Sequence, residues 1–309
     1  MTLPKLHIAV LMGGWSAERT VSLNSGAACA EALEARGFPV TRIDVGRDIA
    51  EVLAKLKPDV ALNVTHGRPG EDGMLSAVLE ILRIPYTHSG VMASALAMDK
   101  AMAKKVLSAS GIPVPGGVRV HRLEAAARHL IERPYVVKPN AEGSSIGVFI
   151  VTKEHEHPPQ ELTSSDWALD ETVLVEPYIA GRELTCAVMG TRILPVVEIV
   201  QGNSFYDYEA KYAPGGSKHI VPAILKRNIY ADVQRLTLEA HLALGCKGVS
   251  RADFRYDDTP GGTGALVCLE VNTQPGMTGT SLVPDMAAHE GISFGELVEW
   301  MVMDASLDR

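Results

Sequence analysis

Cysteine is scarce in this chain, and no two of Cys29, Cys186, Cys246 and Cys268 stand at metal-ligand spacing or near a plausible catalytic histidine. That pattern argues against a thiolate metal centre and reads as buried thiols in a reducing, cytoplasmic setting. Long apolar runs are missing too. The run in MTLPKLHIAVLMGG is too short for a membrane span, and Gly13-Gly14 followed by Trp15 and charged residues stands where a signal peptide would carry its cleavage site. Positive charge is in deficit: 29 Lys and Arg against 37 Asp and Glu give a net charge of −8. This argues against nucleic acid or an anionic membrane as partner, so a strongly anionic ligand needs locally placed Lys and Arg. Internal repeats and low-complexity tracts are absent. The remaining picture, 309 residues with 46% hydrophobic and 21% charged, is that of an ordinary soluble globular protein of two domains or three small ones.

The chemistry concentrates in CLEVNTQPGMTGTSL, Cys268 to Leu282. Leu266 to Leu269 leads in as a buried strand, too apolar for an edge strand in water, and Glu270 and Asn272 follow two positions apart on one strand face. A carboxylate and a carboxamide aimed the same way are hard oxygen donors of the kind Mg²⁺ takes. Arg251 and Asp253 in VSRADFRY repeat that spacing, and the turn formers of YDDTPGGTG between the two runs predict an antiparallel pair. The midpoint between Asp253 and Glu270 falls between Gly261 and Gly262, which sets the carboxylates opposite each other with Cβ atoms about 5 Å apart. Their repulsion is roughly 4 kcal/mol at an intermediate dielectric, and a bound cation is expected to offset it. The plain alternative is a solvated pair on an exposed face. Beyond the strand, PGMTGTSLVP is a Gly-punctuated turn entering a helix, with backbone N–H groups suited to an anion.

Upstream, strands and helices alternate. The pattern predicts strands at 7–12, 40–45, 60–65 and 84–88 and helices at 19–36, 49–57, 72–82 and 91–110, hence right-handed βαβ units in an open sheet. Ligands gather at the carboxyl ends of such strands, where GGWSAE and THGRPGED fall. GGWSAE lacks the GxGxxG spacing, and Asp44 cannot supply the acidic strand end a dinucleotide ribose needs. Glu18 suits a substrate ammonium and equally a helix first turn; a lone histidine such as His66 is as readily structural as catalytic. GIPVPGG, 111–117, marks a link into a second domain. Lys104 and Lys105 read as plain surface charges. In RPYVVKPNAEGSSIGVFIV, strand, small-residue loop and strand form a hairpin able to cover phosphates with Lys138; the Lys precedes the glycines and no GK[ST] follows, so this is not a Walker A loop. VLVEPYIAGRELT offers strand backbone beside an apolar wall, which suits a purine edge, while the polar 155–167 stretch reads as a variable helix or loop. Strands are expected from Glu183 to Met189 and Ile193 to Val200. The long SFYDYEAKYAPGGSKHIVPA then reads as a lid.

In chain order, GGWSAE, THG, MDK, VKP…EGSS, VEPYIAGRE, YDYEAKY, RAD and LEVNTQPGMT resemble the D-alanine–D-alanine ligases of the ATP-grasp superfamily over nearly the whole chain. The resemblance implies an α/β, ATP-grasp fold of three subdomains: an N-terminal open parallel sheet over 1–95, a small central α+β domain with the phosphate-covering hairpin over 96–182, and a C-terminal α+β domain with an antiparallel sheet, metal site and lid over 183–309. It also implies ATP-dependent joining of two D-alanine molecules through an acyl phosphate, for peptidoglycan precursor synthesis. Two Mg²⁺ ions, with Mn²⁺ able to substitute, would sit on Asp253, Glu270 and Asn272. Glu18, oriented by His66, would receive the first amino group, with Ser144 and Tyr212 completing a hydrogen-bond chain. Arg251 and the Gly276 N–H would stabilise the tetrahedral oxyanion, and Ser281 with the Leu282 N–H would hold the second carboxylate. ATP would meet Lys100, Lys138, Ser145 and Lys211 at its phosphates, Glu176 and Ile179 at adenine, and Glu183 at the ribose. The chain departs from the family at Asn140-Ala141, commonly Ser-Arg, and at Pro177, often Lys, which leaves one adenine contact to backbone. A D-alanine–D-lactate ligase is a rival that Tyr212 disfavours; a non-catalytic nucleotide-binding protein is one that the intact Arg251, Asp253, Glu270 and Asn272 set disfavours. A cytoplasmic homodimer that binds neither nucleic acid nor membrane completes the expectation.

Overall fold

The computed structural model describes residues 6–143, 146–201 and 217–309. Its N-terminal part is a parallel sheet of order β2-β1-β3, built from β1 (Ile8–Met12), β2 (Val40–Asp44) and β3 (Val60–Asn63). All five residues of β1 are buried, as a central parallel strand covered on both faces requires. Alternate residues feed two cores. Ile8, Val10 and Met12 pack with Cys29 and Leu33 of helix α1 (Arg19–Ala35), whereas Ala9 and Leu11 pack with Leu53 of α2 (Ile49–Leu56) and Leu79 of α3 (Met74–Ile81).

Two expectations here are corrected. The strand at 84–88 reduces to single bridges of Tyr86 to Ala61 and to Ser306, because Arg83 at φ 55° and His88 at φ 67° turn the chain out of the β region on either side. The single helix over 91–110 is two, α4 (Val91–Met98) and α5 (Lys100–Ala109). Asp99 between them is extended, and its side chain accepts the Met102 N–H at 3.0 Å as an N-cap.

The central sheet has order β4-β7-β5-β6, all antiparallel, from β4 (Val118–His121), β5 (Tyr135–Pro139), β6 (Phe149–Val151) and β7 (Thr172–Pro177), with α6 (Arg122–Ala127) packed against it. The expected hairpin is β5 and β6. Within 155–167 the regular structure is one short 3₁₀ turn, Gln160–Thr163.

The third sheet carries β8 (Arg182–Met189), β9 (Arg192–Ile193), β10 (Val197–Gln201), β11 (Ser217–Ile220), β12 (Val249–Tyr256) and β13 (Leu266–Asn272) in the order β11-β10-β8-β12-β13, with β9 on β8. The expected strand from Ile193 to Val200 is thus split between β9 and β10. Helix α7 (Arg227–Ala243) covers one face, which Leu184, Cys186, Ala252, Phe254 and Cys268 fill; odd-numbered Arg251, Asp253 and Arg255 point the other way. Strand β13 is at the sheet's edge, contrary to the expectation for so apolar a run. Helices α4 and α5 pack against it, and Pro113 O accepts the Cys268 N–H at 2.8 Å, so the apolar middle of the edge is covered. Helices α8 (Leu282–His289) and α9 (Phe294–Met303) return the chain to the N-terminal core. All four cysteines are buried thiols, and no helix among the described residues is long and apolar enough to cross a membrane.

Candidate active site

The polar face of the third sheet is the site's floor. Arg251 pairs with Asn272 and Asp253 with Glu270, the register expected from the sequence, so the four side chains form a square on one face. Asp253 is heavily hydrogen-bonded: Arg251 donates Nε and Nη2 to its two oxygens at 2.8 Å each, the Thr185 hydroxyl donates at 2.6 Å, and the Asn272 amide at 3.0 Å. Lys100 Nζ is 3.4 Å from Glu270 Oε2. Arg251 and Lys100 therefore already offset much of the repulsion between the two carboxylates. The donor set still fits a magnesium ion, because it offers two carboxylates and a carboxamide oxygen at one end of one strand pair. Among the described residues no three His, Cys, Asp or Glu side chains gather as a metal site; the candidate set reaches three donors only through Asn272.

A cavity of about 430 Å³ lies between the central and third sheets, lined by Lys100, Lys138, Glu176, Ile179, Glu183, Glu270 and apolar side chains such as Val136 and Ile150. Lys100, first residue of α5, donates Nζ to Glu142 O at 2.5 Å, and its N–H meets Asn140 O at 3.1 Å, while Asn140 Oδ1 accepts the Ala101 N–H at 3.0 Å. The unusual Asn140 thereby ties the hairpin loop to α5. Glu176 is buried and clamped by two ammonium groups, Lys138 at 2.8 Å and Lys104 in a shorter contact. Lys104 is thus corrected from a surface charge to a residue only 7% exposed. Burial first, then the charge of Lys138, pulls the Lys104 ammonium below its ordinary value. Burial likewise lowers Lys138, to about 8, with Glu270 opposing the shift. Glu183 lies 3.6 Å from Arg255, whose guanidinium also holds Ile179 O and Gly181 O.

A second cavity of about 100 Å³ adjoins the first and shares the walls Gly143, Glu183, Ile199, Asp253 and Glu270 with it. It is lined by Glu18, His66, Glu71, Arg251, Asn272, Gly276, Ser281 and Leu282, so the carboxylate, the helix start and the oxyanion candidates expected from the sequence meet here. Glu18 is buried, and a Cβ at Gly143 would fall 2.7 Å from Glu18 Oε2, so a side chain there would have to displace the Glu18 carboxylate. His66 is buried, with Nδ1 3.2 Å from Glu71 Oε1 and Nε2 3.3 Å from Ser25 Oγ. Burial acts to lower its basicity, but the hydrogen bond and charge of Glu71, with Glu18 behind, outweigh that and hold the imidazole above its ordinary value. Ser281 Oγ accepts the Thr278 N–H at 2.9 Å; Leu282 opens α8, so its N–H has no acceptor within the helix. Gln274 donates to Thr65 O, locking the β13 exit onto the N-terminal sheet.

Ser144, Ser145, Lys211 and Tyr212 lie outside the described residues. Sequence reasoning missed Glu71, Gln274, His219 and Lys104 as site residues. Lys104 had a usable signal: four residues after Lys100, it shares that residue's helix face.

The D-ala D-ala ligase C-terminus family model matches residues 109–303. A D-alanine–D-alanine ligase from Azorhizobium caulinodans is 68% identical over 98% of this chain and 99% of its own, and one from Xanthobacter autotrophicus is 66% identical with 98% and 99% covered. Among solved structures, a D-alanine–D-alanine ligase from Bacillus anthracis complexed with ATP superposes with TM-score 0.80 at 31% identity, covering 98% of this chain and 97% of that one. A D-Ala:D-Ser ligase from Enterococcus faecalis gives 0.78 at 30% identity, with 97% and 99% covered. Sequence identity over almost the whole length and a shared overall architecture therefore place the chain in the D-alanine–D-alanine ligase family of ATP-grasp enzymes.

Proposed function

We propose that this enzyme joins two D-alanine molecules with ATP, giving D-alanyl-D-alanine, ADP and phosphate for peptidoglycan precursor synthesis. The observation that carries the reading is the pair of cavities with a common wall at Asp253, Glu270 and Glu183, one large enough for a nucleotide and one for small amino acids. ATP occupies the larger, with adenine toward Glu176 and Ile179, the ribose at Glu183 and the phosphates under Lys100, Lys138, Ser145 and Lys211. Asp253, Glu270 and Asn272 hold the magnesium ions, which when bound neutralise charge on the transferring phosphoryl group.

In the smaller cavity Glu18 takes the ammonium of the first D-alanine, and Arg251 of the same lining takes its carboxylate. That orientation presents the carboxylate to the γ-phosphate, and the acyl phosphate forms. Ser281 and the Leu282 N–H hold the second carboxylate, the second amine attacks the acyl carbon, and Arg251 with the Gly276 N–H stabilises the oxyanion before phosphate leaves. Ser144 and Tyr212 complete the hydrogen bonds about Glu18. The three-part division at 95/96 and 182/183, a homodimer and a cytoplasmic location belong to the same proposal.

Phosphate release and product mass measured with ATP and D-alanine alone, then with D-lactate or D-serine added, test it. Dipeptide formed from D-alanine alone supports the reading. Products only when D-lactate or D-serine is present, or ATP bound without turnover, overturn it.

A further inference from the structure

We propose that His219 is the general base that takes the proton from the second amino acid's ammonium, with Asp285 as its positioning partner. The inference rests on the ligase reading of the smaller cavity. An ammonium has no lone pair, so the second amine must lose a proton before attacking the acyl carbon. A base is needed close to where that amino acid's carboxylate is held, because amine and carboxylate hang on one carbon.

His219 is in that place. It pairs with Ile199 across β10 and β11, Ile199 pairs with Glu183, and Glu183 pairs with Arg255, so the imidazole stands in a row on the sheet face that carries Arg251 and Asp253. It lines the smaller cavity together with Ser281 and Leu282. Its Nδ1 is 2.7 Å from Asp285 Oδ2, in the first turn of α8. Asp285 is four residues after Ser281 and shares its helix face, and its N–H donates to Ser281 O at 3.2 Å. The carboxylate that fixes the imidazole therefore stands one helical turn, roughly 5–6 Å between Cβ atoms, from the carboxylate anchor, and the imidazole and the anchor line the same small cavity. A carboxylate on Nδ1 holds the tautomer with the proton there, leaving Nε2 as the acceptor; among the described residues nothing hydrogen-bonds Nε2. The charged groups lining the same cavity are Glu18, Glu71, Glu183, Arg251, Asp253 and Glu270, with His66 beside them.

In the step, Nε2 accepts one N–H proton and becomes imidazolium opposite Asp285. The freed lone pair forms the C–N bond, the acyl C–O bond to phosphate breaks with its electrons and the second N–H proton going to the departing phosphate, and the imidazolium returns its proton to water.

The test uses His219→Gln and Asp285→Asn in the full-length enzyme. At pH 7, His219→Gln should lower dipeptide formation roughly 100-fold. D-alanine-dependent scrambling of ¹⁸O in the ATP γ-phosphate, which reports acyl phosphate formation, should stay near wild type, and Asp285→Asn should fall between the two. The deficit should shrink as pH rises from 7 to 9.5 and free amine accumulates. Hydroxylamine, an amine that is unprotonated at neutral pH, should trap the acyl phosphate equally fast in both proteins. An equal fractional loss at pH 7 and 9.5, or no loss, overturns the base and leaves a structural ion pair between β11 and α8. Absence of ATP and D-alanine chemistry in the wild type overturns the ligase reading instead.

Discussion

Replacing Lys104 with Met should destabilise the enzyme far more than any surface lysine would and weaken ATP binding as well. The Lys104 and Glu176 side chains are 8% and 3% exposed, so the contact is a buried ion pair, and removing one partner of such a pair costs about 3–5 kcal/mol. Lys138 remains on Glu176 at 2.8 Å, which places the loss at about 3 kcal/mol, the lower end. At about 2 °C per kcal/mol for a large chain, the unfolding midpoint should drop on the order of 6 °C. Glu176 lines the nucleotide cavity although Lys104 does not, so KM for ATP should rise while KM for D-alanine moves little. Pairing Lys104→Met with Glu176→Gln removes both charges and should recover at least about 1 kcal/mol relative to the sum of the single changes. Thermal unfolding of the four proteins, with ATP kinetics, reads all of this. A Lys104→Met midpoint within a degree of wild type, or strict additivity in the double variant, would refute the buried-pair account.

Glu270→Gln should keep the fold and lower kcat about 100-fold even in saturating Mg²⁺, since about 3 kcal/mol of electrostatic stabilisation disappears; near wild-type turnover would sink the metal assignment. Glu71→Gln removes the partner that holds His66 above its ordinary range. A raised histidine stabilises the fold fully below its unfolded value near 6.5 and loses that contribution as pH climbs through the folded value, so the variant should lose more stability at pH 6 than at pH 8.5, measured by denaturant titration. L-alanine should be disfavoured well over tenfold against D-alanine: with ammonium at Glu18 and carboxylate toward Arg251, the wrong hand breaks a charge-assisted contact worth about 2 kcal/mol or drives its methyl into a wall. Comparable rates for the two enantiomers would remove Glu18 from the ammonium site.

The parts legible in the sequence were those governed by short-range pattern. The three N-terminal parallel strands, the 135–151 hairpin and the two-residue polar spacing on β12 all follow from periodicity. The parts that were not legible depend on long-range contacts. Lys104 meets Glu176 across 72 residues, and His219 meets Asp285 across 66, so no local window holds both partners. Asp99 was readable in principle as an N-cap, but apolar periodicity on both sides of it hid the break between α4 and α5.

Strand β13 shows why a correct expectation can rest on an incomplete mechanism. Paired positions on β12 and β13 sum to 522 near the turn, as in Phe254 with Cys268, and to 523 at Asp253 with Glu270, so one extra residue, Leu269, is accommodated as a β-bulge. Cys268 packs in the helix-covered core and Glu270 faces the cavity, although residues two apart on a regular strand share a face. The bulge is what reverses the strand: apolar Leu266 and Cys268 bury on one side before it, and Glu270 and Asn272 emerge on the other after it. A midpoint placed between Gly261 and Gly262 gave the right partner for Asp253, but the turn itself is centred on Gly261, and the half-residue difference is the bulge. Without it, the strand that buries Cys268 would bury Glu270 with it, two carboxylates could not share a face, and the wall between the two cavities would have no anionic centre to hold a cation.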